Sequence, residues 1–280
     1  MAGISQEDYK EPQCLLNMSD PNSKEVRSID ISRVIDKLDS YLSKDDMPGA
    51  KRHLEYWLRE AESGNDERGR FSILNELMGL CRKMKLEKEA KDYAMAALEQ
   101  AEVIGIKDTI SYGTCLLNVA TVYKAFGDSE KALGFYEKAK ENYGKNLPSD
   151  DRRAAGLCNN MGLALCDVKR YEDSIRSYEK ALEILKKYDD SRPDRAITWL
   201  NLANAYEAKD GLLEAEESIS KCLDEAEKEL LSEETVRDGY YAFVCEKCAP
   251  TFGYYGRFGL QNDLLACSAE IYEENRKKGE

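Results

Sequence analysis

The sequence predicts an all-α chain of about six helical hairpins, and three observations carry that prediction. Ala, Leu, Glu and Lys are abundant in a composition that is 42% hydrophobic and 34% charged, which favours helix over strand. Apolar residues recur three and four places apart, the spacing that puts them on one face of a helix. A set of small and large residues also returns roughly every forty-two positions, and such self-similarity is the mark of a repeat architecture.

Three segments show the repeat most clearly: LLNVATVYKAFGDSEKALGFYEKA from 116, CNNMGLALCDVKRYEDSIRSYEKA from 158, and WLNLANAYEAKDGLLEAEESISKC from 199. Each has a small residue (Ala120, Gly162, Ala203), a larger one three places on (Tyr123, Leu165, Tyr206) and a small one nine further (Ala132, Ser174, Ala215). The gap holds turn formers, Gly127 and Asp128 or Asp210 and Gly211, so each unit reads as two helices joined by a turn. Small residues at the crossing let the two helices approach closely.

Weaker copies precede and follow. Val34, Leu38, Tyr41, Ala50, Leu54 and Trp57 fit the first, and Leu74, Leu77, Met78, Cys81, Ala90, Ala94 and Ala97 the second. A degenerate last copy runs through Phe252, Tyr255, Phe258, Gly259, Leu264 and Ile271. The second-helix markers Ala50, Ala90, Ala132, Ser174, Ala215 and Leu264 are 40, 42, 42, 41 and 49 residues apart. The repeats are therefore placed at 27–63, 67–104, 109–143, 151–187, 192–230 and, as a degenerate capping unit, 233–277. Residues 26–280 are read as one solenoid and residues 1–25 as a loose lead-in. The linkers YGKNLPSDD (143–151) and YDDSRPD (188–194) carry Pro, Asp and Ser to stop one helix and cap the next.

The pattern resembles the tetratricopeptide repeat, and WLNLANAY followed by Ala215 matches its first-helix motif of Trp, Leu, small residue and Tyr. The period exceeds that family's common 34 residues and is similar to the longer repeats of kinesin light chains. The resemblance implies a right-handed α-α superhelix whose first helices line a concave wall. Asn118, Asn160 and Asn201 share one register in three consecutive units, so they are expected to form a ladder on that wall. An amide offers both donor and acceptor, which suits the backbone of an extended peptide, and the kinesin-light-chain resemblance implies the same ladder. Asn159 and Asn204 would extend the wall, Thr121 stands where Asn204 does, and Lys124 and Glu207 would add selectivity. Gly156 would leave room for a partner's side chain. The alternative is that these asparagines bond to neighbouring backbone and bind nothing. A carboxylate clamp of the chaperone-binding type fits poorly, because Leu117, Asn159 and Leu200 stand where it needs Lys.

The expected work is thus non-enzymatic and non-covalent, on a protein or peptide partner, with no cofactor and no metal. A net charge of −13 repels nucleic acid, no run is long enough to span a membrane, and the N-terminus lacks a secretory pattern. A cytoplasmic location follows as the default. Self-assembly into a homo-oligomer is one alternative function. A small metal or redox site at the Cys- and aromatic-rich segment GYYAFVCEKCAPTFGYYGRFG is another. Cys245, Cys248 and Cys267 supply three thiols there, but sharing a helix face makes core packing the better reading for the first two. Pro250 is expected to break or kink its helix. The lone histidine, His53, lies between packing positions and is read as structural or surface.

Overall fold

The computed structural model describes residues 26–278; the expected lead-in, 1–25, lies outside them. Among the described residues there are twelve α-helices and no strand. They form six successive pairs: α1 (Ile31–Leu42) and α2 (Met47–Ser63), α3 (Glu67–Lys83) and α4 (Glu87–Val103), α5 (Ile110–Ala125) and α6 (Ser129–Asn146), α7 (Arg152–Asp167) and α8 (Tyr171–Leu185), α9 (Arg192–Asp210) and α10 (Glu216–Leu231), α11 (Gly239–Tyr254) and α12 (Phe258–Lys278). This is the all-α helical repeat fold. The chain divides into two compact units, one ending at Ile73 and the next starting at Leu74.

In the first unit, Asp30 and Asp46 cap α1 and α2 by accepting from the Arg33 and Gly49 amides, which satisfies donors that have no partner inside a helix. Val34, Leu38, Ala50 and Leu54 close the core between the helices. His53 has a structural place: a ring nitrogen, Nε2, lies 3.0 Å from the Val34 carbonyl, and the ring packs between Tyr41 and Trp57.

In the second unit each helix from α4 to α9 packs on the one that follows it, and α11 packs on α9 and α12. The α7–α8 crossing shows why small residues are required. A Cβ on Gly162 would lie 2.5 Å from the Tyr178 ring, and Ser174 Oγ donates to the Gly162 carbonyl at 2.8 Å. Tyr178 is 1% exposed and has nowhere to retreat. Gly162→Ala is expected to cost about 1–3 kcal/mol through overpacking, despite alanine's better helix propensity; urea unfolding showing an equal or higher stability would remove this account.

Five of the six hairpin turns use one device. An amide five residues on donates back to the carbonyl of Tyr41, Cys81, Tyr123, Leu165 or Phe252 at 2.8–3.0 Å, and the residue before that amide is left-handed: Asp45, Lys85, Gly127, Lys169 and Gly256. This is the Schellman closure, in which glycine is at ease and a side chain is not. Lys169→Gly should therefore stabilise the fold by about 0.5–1 kcal/mol, as read from the denaturation midpoint. At α9–α10 Gly follows Asp instead of preceding it, so the left-handed residue is one place late. Helix α9 runs on to Asp210, and Leu212 and Leu213 are left 52% and 82% exposed.

The last turn also corrects a register. In the sequence Leu264 takes the place of the sixth second-helix marker, although that copy is degenerate. The bond from Arg257 N to Phe252 O instead puts Gln261 there, 46 residues after Ala215. Cys166 Sγ meets Ser174 Oγ at 3.0 Å, and Gly253 faces Gln261 in the same relation, a Cβ there lying 2.1 Å from the movable end of the Gln261 side chain. Pro250 does not end its helix, since α11 continues to Tyr254. Pro250 and Glu246, whose carbonyl loses its helical donor, are both exposed, so water can satisfy that carbonyl.

The 188–194 linker is fixed by a buried ion pair. Arg195, 6% exposed, donates from Nε and a terminal nitrogen to both Glu229 oxygens at 2.7 and 2.8 Å. Its other terminal nitrogen reaches Tyr188 O and Ser191 Oγ, both at 3.0 Å. Ser191 Oγ lies 2.7 Å from the Leu185 and Tyr188 carbonyls. The end of α8, the start of α9 and α10 are thereby tied together.

Candidate functional site

Helices α5, α7, α9 and α11 are the first helices of four successive hairpins, and neighbours among them touch. Each buries one stripe and leaves the opposite one towards solvent. In α5 the buried side carries Leu116, Val119, Ala120 and Tyr123, and the open side Ser111, Thr114, Asn118, Thr121 and Ala125. Asn160 in α7 and Asn201 in α9 occupy the equivalent places, and all three are partly buried.

Direct contacts fix the alignment. Asn159 Nδ2 donates to Thr198 Oγ1 at 2.9 Å between α7 and α9. Tyr240 OH donates to Asp194 Oδ1 at 2.5 Å and Tyr254 OH to Glu207 Oε1 at 2.6 Å between α9 and α11. Counted along the helices at the 46-residue offset of the Tyr240–Asp194 bond, Lys247 falls at the register of Asn201 and Phe243 at that of Ile197.

The eight residues singled out in the sequence fall into two groups. Among the described residues none is a hydrogen-bond partner for the side chains of Asn118, Asn160 or Asn201. The other five are engaged. Besides the Asn159–Thr198 bond, Thr121 Oγ1 donates to Leu117 O at 2.9 Å and lies 3.2 Å from Tyr136 OH. Lys124 pairs with Asp167 at 3.8 Å. Glu207 accepts from Tyr254 and Tyr255, both at 2.6 Å, and Asn204 Oδ1 sits 3.0 Å from the same Tyr255 oxygen. Burial and the Glu207 carboxylate hold the Tyr255 phenol well above its ordinary range. The two tyrosines' role is not legible in sequence, because their partners lie nearly fifty residues away. Gly156 faces open space: beyond its chain neighbours and the backbone of its own helix, no atom lies within 4 Å of where a Cβ would be.

The aromatics of α11 separate in the same way. Tyr241 and Phe252 are buried, with Tyr241 OH donating to Leu230 O at 3.1 Å. Tyr240, Phe243 and Tyr254 stay 47%, 45% and 67% exposed on the side that continues the open stripe. Tyr240 and Phe243 stack at 6.4 Å with 23° between planes, and Lys247 Nζ lies 5.4 Å from the Phe243 centroid.

A tetratricopeptide-repeat family model matches residues 69–145 and 152–228, more than half of the chain. The chain belongs to the tetratricopeptide repeat family. No curated protein matches the sequence. Among solved structures, BtubC (BKLC) from P. vanneervenii is 20% identical, with 71% of this chain and 79% of that one covered and a TM-score of 0.64. The nearly identical kinesin-light-chain TPR-like repeats of Podosopora anserina are 17% identical over 74% of this chain and 96% of theirs, at TM-score 0.52. RapI in its apo form is 17% identical over 89% and 100%, at 0.53. At these identities the likeness is one of fold. Tetratricopeptide repeats are scaffolds for protein–protein interaction, and this chain has that architecture.

Two features modify the packing expected of these repeats. Trp199 and Tyr206, the two large aromatics of the WLNLANAY motif, are only partly buried. With Leu182, Leu202 and Cys222 they line an open cavity of about 490 Å³ between α8, α9 and α10, where the Trp199 indole nitrogen has no partner among the described residues. Cys245 and Cys248 are 0% and 3% exposed, and burial pushes their thiols up to about 11 and about 12. Neither is a thiolate near neutrality, the form that binds metal or attacks. Among the described residues no three His, Cys, Asp or Glu side chains are grouped to hold a metal. No described helix is long and apolar enough to cross a membrane.

Proposed function

We propose that α5, α7 and α9 bind an extended segment of a protein partner through the amides of Asn118, Asn160 and Asn201. One observation carries this reading: three asparagines in register have no protein partner, while the five other candidates around them do. Asn inside a helix is slightly unfavourable, and a bond to nearby backbone would be its ordinary compensation. That compensation is missing at all three positions. The amides are therefore available to the N–H and C=O groups of a ligand backbone, whatever its side chains.

The interaction is non-covalent and the chain non-enzymatic in this reading. Lys124 and Glu207 act through Asp167 and through Tyr254 and Tyr255, shaping the stripe more than touching the ligand. Affinity capture from the source cell tests the proposal: a partner held by the wild-type chain and lost by the Asn118, Asn160 and Asn201 triple alanine variant is the expected result. A partner set unchanged in the folded variant would end it, and so would finding that the captured species is only a second copy of this chain.

A further inference from the structure

We infer that the edge where the α9–α10 turn meets the α11–α12 turn is a second docking surface, and that its occupant is a partner's segment in which apolar side chains are flanked by Lys or Arg. It involves none of the three asparagines. The site begins with a broken local rule. At five hairpin turns the left-handed residue closes the helix, but at α9–α10 it comes one place late and leaves Leu212 and Leu213 52% and 82% exposed. Such departures from local consistency are where functional sites are expected. The two leucines are not scattered surface residues. With Ile219, Leu223, Tyr254 and Tyr255 they line one open cavity of about 360 Å³ between the two hairpins, and Tyr254 is itself 67% exposed. A clustered apolar patch with a polar rim marks an interaction surface, whereas a single exposed leucine does not.

The rim selects the charge of the occupant. Arg257, at the cavity, is more than matched by Glu227 and Asp224, which accept from it at 2.6 Å each. Glu216, at the same cavity, has no cationic partner among the described residues, and neither do its neighbours Glu214 and Glu217. The adjoining recess sets four carboxylates, those of Glu216, Glu217, Asp224 and Glu225, against one cation, Lys221; Lys228 lies 3.8 Å from Glu225. Apolar surface beside uncompensated carboxylates fits an apolar segment that brings its own cations. Two occupants from this chain fail that requirement. A second copy laid patch to patch would set the same carboxylates against each other, and residues 1–25 carry five acidic residues and two lysines.

The test uses the full chain and three fluorescein-labelled ten-residue peptides read by anisotropy: alternating Lys–Leu, alternating Lys–Ser and alternating Glu–Leu. The Lys–Leu peptide is expected to bind at least about tenfold more tightly than either of the others. Leu212→Ser with Leu213→Ser should weaken it about tenfold or more, and Glu214→Gln, Glu216→Gln and Glu217→Gln together several-fold. The Asn118, Asn160 and Asn201 triple alanine variant should bind it as the wild type does. All five side chains replaced at the patch are exposed, so these variants keep the fold, which circular dichroism and melting check. Lys–Ser binding as tightly as Lys–Leu would mean unspecific attraction to an acidic chain and would overturn the inference. Binding unmoved by the leucine variant, or lost in the asparagine variant, overturns it too. Sedimentation showing a dimer that the leucine variant dissolves would make a second copy the occupant, and the inference would fail.

Discussion

Replacing Asn118, Asn160 and Asn201 together by alanine is expected to weaken partner binding about a hundredfold while the fold becomes no less stable. A neutral hydrogen bond contributes about 0.5–1.5 kcal/mol net, so each single alanine variant should lose roughly two- to tenfold and the three together about two orders of magnitude. Stability gives the discriminating sign. If these side chains were holding helices together, removing them would lower the unfolding free energy. Because they have no protein partner, only helix propensity changes, and it favours alanine by a few tenths of a kcal/mol per site. Isothermal titration and urea unfolding on the same samples measure both. A stability loss above about 1 kcal/mol per site would return the asparagines to a structural role.

Glu229→Ala is expected to be the most damaging single change to the fold, at about 3–5 kcal/mol. The pair with Arg195 is buried, with side chains 7% and 13% exposed, and breaking it strands a guanidinium among the Tyr188 carbonyl and Ser191 Oγ. A charge left there without its counter-charge carries its desolvation cost uncompensated. Glu229 also accepts from Arg192 at 3.1 Å, but the Arg192 side chain is 21% exposed and can turn to water. Arg192→Ala should thus cost at most about 1 kcal/mol. Chemical denaturation of the two variants checks the contrast, and equal effects would refute the claim that burial decides it.

The repeat was legible because it is local. Spacings of three and four, a small residue at each crossing and a turn former between helices all lie within forty residues of one another, and they yielded six hairpins. Where the local signal was weak the register slipped. In the last copy Leu264 looked like the marker, but the backbone bond closing the turn selects Gln261. The inversion of Gly and Asp at 210–211 marked a turn, yet not that Leu212 and Leu213 would be exposed by it.

The candidate site divides along the same line. Sequence by itself determined that Asn118, Asn160 and Asn201 share a register, since a helical repeat fixes which residues are equivalent, and it fixed the all-α architecture that makes them neighbours. Only the tertiary structure decided which polar side chains are already bonded within the protein. Thr121 is held inside its own hairpin by Leu117 and Tyr136, whereas Asn159 is held by Thr198 and Asn204 and Glu207 meet tyrosines, all from the next hairpin. The physical reason is that periodicity sets the face a residue occupies, whereas a hydrogen bond requires a partner atom within about 3 Å, and partners some forty to fifty residues away come within reach only once the hairpins stack.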